Sequence, residues 1–186
     1  IHINNEKMSK SLGNFVTIKD LLKRTKPAAL RYFMLSAHYR SPLNFSEETI
    51  RQAESSVERI VNCHVNLNHR LTALGSRGAA EAEQARAAGS TGEPELDHRI
   101  AEIRARFHEK MSDDFNTPDA VTALFDLVSE ANQALKREVL SGAVIRVLLD
   151  ELEAIDRVLG FLPPADAAQL GDEEIERLIA ERTEAR

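Results

Sequence analysis

One stripe of side chains constrains this chain more than any other feature. Ile50, Ala53, Val57, Ile60, His64, Leu67, Leu71 and Leu74 are spaced alternately by three and four residues. That spacing places them on one face of a helix, and sustained over seven steps it reads as a coiled-coil-like seam. Ser46, followed by Glu47 and Glu48, supplies a helix start with acids suited to the dipole, and Gly75 ends it. A helix this long cannot bury its stripe alone, so the rest of the chain must supply partner helices.

Partners are legible downstream. Pro94 opens a helix whose apolar face is Leu96, Ile100, Ile103, Phe107 and Met111. Residues 112–116 form a loop, Thr117 caps and Pro118 opens the next helix, with Val121, Leu124, Phe125, Val128 and Leu135 inward. After the Ser141–Gly142 turn, Ile145, Leu148, Leu149, Leu152, Ile155 and Leu159 line another long helix, closed by Gly160. Residues 75–93 are small, polar and Gly-rich and read as a flexible linker, with at most a helical turn around 81–87. Residues 172–186 read as a further amphipathic helix. The expected fold is mainly α: an antiparallel helical bundle over 46–165, a C-terminal helix within 166–186, and a small mixed head over 1–45. In the head, Ile1 and Ile3 suggest a strand end. Thr17 and Asp20 suggest a capped short helix from Ile18 to about Arg24. Leu30, Phe33, Met34 and Ala37 form a buried stripe after Pro27.

The 186 residues, 42% apolar and 29% charged, suffice for one ordinary domain or two small ones. They exclude a disordered chain, a collagen and a disulfide-stapled miniprotein. No apolar run approaches the ~20 residues of a membrane span, so no membrane partner is expected. The opening IHINNEKMSK does not read as a signal peptide. A single cysteine, Cys63, gives neither an intrachain disulfide nor a zinc cluster and suits a reducing cytoplasm. The net charge of −6 is uneven. Residues 1–45 carry eight Lys/Arg against Glu6 and Asp20, a net +6, which leaves −12 for the remainder. A basic head on an acidic body directs any polyanion to the head.

The head also holds the strongest chemical signal, Lys7-Met8-Ser9-Lys10-Ser11-Leu12-Gly13-Asn14. Two lysines three apart in a Gly-terminated loop can close on one polyphosphate and offset the charge that builds during displacement at phosphorus. Ser9, Ser11 and loop N–H groups add donors, and Gly13 permits a tight backbone. This string resembles the second signature of class I aminoacyl-tRNA synthetases. Phe15-Val16-Thr17, Leu30 to Phe33, His38 to Ser46 and Asp113-Asp114-Phe115-Asn116-Thr117-Pro118 extend the likeness to the cysteinyl-tRNA synthetase family over about residues 4–165.

The resemblance implies an enzyme of protein biosynthesis. Such a ligase activates cysteine with ATP to cysteinyl-adenylate and then esterifies the 3′ end of tRNA(Cys). It implies that Lys10 binds ATP and that Lys7 supports the same transition state, with Met8, Ser9 and Ser11 around the nucleotide. It implies a stem-contact region near 15–45 and a tRNA-binding bundle of DALR type, with His38 and Arg40 as candidate tRNA contacts. It implies a monomeric cytoplasmic parent whose Rossmann half, H-I-G-H signature and cysteine-selecting zinc lie outside this sequence. The chain starts at Ile1 without an initiator Met, has no H-I-G-H string, and stops inside a charged helix. The expectation is therefore a fragment that is inactive alone and holds no metal. The DALR signature is degraded to Lys26-Pro27-Ala28-Ala29-Leu30-Arg31. Two rivals are a paralogous cysteine ligase with an aminosugar-linked acceptor and a non-catalytic helical interaction module.

Other residues have plainer readings. His64 in the seam reads as a packed or half-exposed histidine, because a lone histidine defines no metal site. Cys63 reads as a small buried hydrophobe. Asp113, Asp114 and Asn116 lack the spacing of an EF-hand and read as a helix-capping turn, with Phe115 packed into the bundle. Arg51, Arg59 and Arg70 read as a solvated face. His38 and Arg40 could equally join the head to the bundle.

Overall fold

The computed structural model describes residues 2–3, 6–9, 11 and 13–164. Three two-residue strands form a small sheet: β1 (His2–Ile3), β2 (Glu6–Lys7) and β3 (Asn44–Phe45), in the order β2-β1-β3. β2 runs antiparallel to β1 and β3 parallel to it. Between β2 and β3 lie α1 (Ile18–Leu21) and α2 (Pro27–Leu35). The bundle is built from α3 (Glu47–Ala73), α4 (Gly75–Ala88), α5 (Pro94–Ser112), α6 (Thr117–Leu135) and α7 (Gly142–Leu159). Among the described residues no helix is long and apolar enough to cross a membrane.

Local chemistry sets the helix ends. The Ser46 hydroxyl accepts from the Thr49 N–H at 3.1 Å, while Thr49 Oγ1 accepts from the Ser46 N–H at 3.0 Å, a reciprocal cap for α3. Thr17 accepts from the Asp20 N–H, and α1 ends at Leu21, sooner than the sequence suggests. Asn116 rather than Thr117 caps α6, with its side chain accepting from the Asp119 N–H. Ser141 caps α7, and Gly160 closes it in the left-handed region at φ +69°.

Two apolar cores result. The head core gathers Leu21, Leu30, Phe33, Phe45, Ile50 and Ala53. The larger bundle core begins with Ile60, Cys63 and Leu67 and continues through the inner faces of α5, α6 and α7. α3 therefore contributes to both. At its middle, Cys63 takes the buried place that the stripe would give His64, which is half-buried beside Glu153. Met34 departs from the expected buried stripe of α2 and is 47% exposed. Residues beyond 164, including the helix expected within 172–186, lie outside the described residues.

The expected linker is the main correction. Residues 75–88 form a helix that lies against α7. Its buried face is Gly78, Ala82 and Ala85, side chains too small to give a hydrophobic signal in sequence. What they permit is close backbone approach: a Cβ added at Gly142 would fall 2.1 Å from the Gly78 carbonyl oxygen. The Glu81 carboxylate accepts from the Gly142 N–H at 3.0 Å at the start of α7, and Arg86 pairs with Asp150 at 3.2 Å. The hydrogen bond from Gly142, joined by Arg77, holds the Glu81 carboxyl below its usual range. Gly89 then turns the chain at φ +66°, and Asp97 gathers the Ser90 hydroxyl and the Thr91 N–H into the approach to α5.

Gly142→Ala tests this contact. Alanine is the better helix former, so with α4 undocked the change would be neutral or stabilising. Against the Gly78 backbone it is expected to destabilise the chain by about 1–3 kcal/mol, the usual range for overpacking, as read by urea denaturation.

Candidate active-site loop and head–bundle junction

The loop that follows β2 is closed by one side chain. The Asn14 carboxamide oxygen accepts from the Ser9 N–H at 2.8 Å, and its amide nitrogen donates to the Lys7 carbonyl at 3.2 Å. Asn14 thus ties the end of the loop back to the edge strand that carries Lys7. Gly13 sits at φ +70°, a conformation that costs glycine little and lets the chain reverse just before that clamp. The Ser9 and Ser11 hydroxyls lie 2.7 Å apart and can donate together to one ligand oxygen. Lys7 is exposed on β2, which pairs with β1 through His2. Met8 is half-buried and lines an apolar groove of about 510 Å³ with Ile3, Val16, Leu30, Phe33 and Met34. Lys10 lies outside the described residues. The clamp by Asn14 is the feature that residue types alone did not reveal, although Asn14 ends the string that first drew attention.

The other candidate residues gather elsewhere. His38 and Arg40 follow α2 and meet the turn between α5 and α6 at Asp114. That supports the joining role. Phe115 does not pack into the bundle but is 65% exposed, because both Asp114 and Phe115 adopt left-handed backbone, at φ +52° and +53°. Arg51 pairs with Glu48, the Arg59 guanidinium lies 5.0 Å from the centroid of the Phe125 ring, and Arg70 donates to the Glu138 carbonyl. Each of the three has a partner within the protein. Cys63 is enclosed in the core, and burial pushes its thiol up to about 11, so it stays protonated at neutral pH. Among the described residues no group of three or more His, Cys, Asp or Glu could hold a metal ion. The zinc that the resemblance implies therefore finds no fitting site among them.

Two family models match the sequence: the class I (C) tRNA synthetase catalytic domain over residues 1–55, and the DALR domain over 106–163. Along its whole length the chain is 42% identical to a cysteine–tRNA ligase of Shouchella clausii, covering 37% of that protein. It is 44% identical to one of Brevibacillus brevis and 42% to one of Geobacillus thermodenitrificans, again covering 37% of each. The chain is thus similar along its whole length to cysteine–tRNA ligases. It spans little more than a third of the length of the curated relatives it matches. The loop clamped by Asn14 falls inside the region matched as catalytic domain, and Asp114 falls inside the region matched as DALR domain.

Replacing Asn14 by alanine removes both ends of the clamp. At about 1 kcal/mol for a lost hydrogen bond, hydrogen exchange at the Ser9 amide is expected to quicken about fivefold. Exchange within α5 and α6 should not change.

Proposed function

We propose that this chain is part of a cysteine–tRNA ligase that activates cysteine with ATP and transfers it to tRNA(Cys). The observation that carries the reading is the Asn14 clamp, which holds Lys7 and the Ser9–Ser11 pair on one short loop at the edge of the head sheet. In activation a cysteine carboxylate oxygen attacks the α-phosphorus of ATP. The bond to the bridging oxygen breaks, and pyrophosphate leaves with the electron pair. Negative charge builds on the phosphate oxygens as this happens. Lys7 and Lys10 offset it, and Ser9 and Ser11 donate hydrogen bonds beside them, with Met8 against the nucleotide. The loop sequence supports these roles for Lys10 and Met8.

In the second step a hydroxyl at the 3′ end of the tRNA attacks the adenylate carbonyl and AMP departs. The bundle positions the tRNA for this step, and His38 and Arg40 contribute contacts at its junction with the head. Arg40 is suited to this because its guanidinium carries five donors and is well exposed while paired with Asp114. The parent acts as a cytoplasmic monomer, and its zinc is held by residues outside this sequence.

The test is ATP–pyrophosphate exchange in a protein of the relatives' length that carries this sequence. Exchange is expected with cysteine alone among the amino acids. Lys10→Ala is expected to lower it by ~10² or more, as for a lost transition-state contact. The 186-residue chain alone is expected to show none. An absence of exchange with every amino acid, in the longer protein, contradicts the reading.

A further inference from the structure

Two strings far apart in sequence, His38-Tyr39-Arg40 and Asp113-Asp114-Phe115-Asn116, meet where the head touches the bundle. One carboxylate collects the contacts. The Tyr39 hydroxyl donates to Asp114 Oδ1 at 2.7 Å, the Arg40 guanidinium lies 3.2 Å from Oδ2, and His38 Nε2 lies 3.9 Å from Oδ2. Arg40 Nε donates to the Tyr39 oxygen at 2.9 Å, so the phenol links guanidinium and carboxylate. The Tyr39 ring stacks on His38 at 4.7 Å, with the Arg40 guanidinium 5.3 Å from the ring centroid.

Burial does not explain this convergence. Tyr39 is 62% exposed and the Asp114 side chain 45%. Nor is the turn made in the easiest way. Asp114 and Phe115 hold consecutive left-handed conformations that glycine would adopt more readily. The Asn116 N–H, donating to the Lys110 and Asp113 carbonyls, fastens the turn to the end of α5. The strained backbone presents the Asp114 carboxylate to the head, and strain of this kind persists where the surroundings over-determine it.

The geometry points to Asp114 as a positioning residue, which sets the bearing of the bundle on the head that carries the 7–14 loop. This rests on the synthetase reading. Activation needs cysteine and ATP aligned in the catalytic domain. Transfer needs in addition that a tRNA held by the bundle reach that site. A change in bearing shifts the second alignment and leaves the first alone, so loss of Asp114 separates transfer from activation.

The experiment uses a protein of the relatives' length carrying Asp114→Ala, Tyr39→Phe, or both. Exchange and tRNA aminoacylation are measured side by side. Asp114→Ala is expected to keep cysteine-dependent exchange within twofold while kcat/KM for tRNA falls about tenfold. Tyr39→Phe keeps the ring and should move transfer the same way by less. The double variant should be no worse than Asp114→Ala, as for residues sharing one contact. Asp114→Asn, which keeps an acceptor for Tyr39 and Arg40, should recover part of the loss. Unchanged aminoacylation in Asp114→Ala overturns the inference, and so does a parallel fall of exchange and aminoacylation, which marks a purely structural role. Absence of exchange in the unaltered protein instead overturns the synthetase reading, and this inference with it.

Discussion

The structure depends on α3 crossing from one core into the other. Its 27 residues reach roughly 40 Å at 1.5 Å per residue. Ile50 and Ala53 close the head core, and Ile60, Cys63 and Leu67 enter the bundle core less than two turns further on. A helix between its caps is stiff on this scale, and each apolar core fixes its rotation. The loop that carries Lys7 and the helices that follow α3 therefore share one frame. The cap at Ser46 matters because it fixes where that frame begins, directly after β3 has paired with β1.

Two further ties hold head to bundle. On α2, Arg31 donates to the Gly160 carbonyl at 3.1 Å, and Tyr32 packs between Phe125 and Phe161, with ring centroids 6.3 and 5.4 Å away. Gly160 is favoured there by its left-handed φ of +69°, and an added Cβ would push aside the Arg31 guanidinium, whose nearest nitrogen would lie 1.9 Å away. The other tie is Asp114 with its three partners. The bundle's own charges are largely spent internally: Arg99 on Glu130, Arg104 on Glu151, Arg106 on Asp126 and Arg137 on Glu93. The exposed pairs Arg106–Asp126 and Arg137–Glu93 add little stability, whereas Glu151 is buried and depends on Arg104 for its partner. They do leave the positive surplus on the head, where the loop lysine is.

Much of this was legible in the residues because apolar side chains mark their own burial. The inner faces of α5, α6 and α7 follow from steps of three and four, and the Lys7–Asn14 string announces the loop by its spacing of charges and glycine. What escaped has a common cause. α4 docks through Gly78, Ala82 and Ala85, which contribute closeness rather than apolar area, so a helix there looks like a linker. Asp114 and Phe115 take left-handed backbone that their residue types do not signal, which turned Phe115 outward. The Asn14 clamp is local, spanning five and seven residues, but no residue-type rule announces it, and the meeting of Tyr39 with Asp114 joins residues 75 apart, which no local pattern encodes.

Through α3, head and bundle form one mechanical unit. Native-state hydrogen exchange along α3 in increasing urea tests it most directly. Amides from Ala53 to Leu67 are expected to converge on a single opening free energy, with the same urea dependence on both sides of Val57. A step between Ala53 and Ile60, with the head side exchanging through its own lower-energy opening, would contradict it.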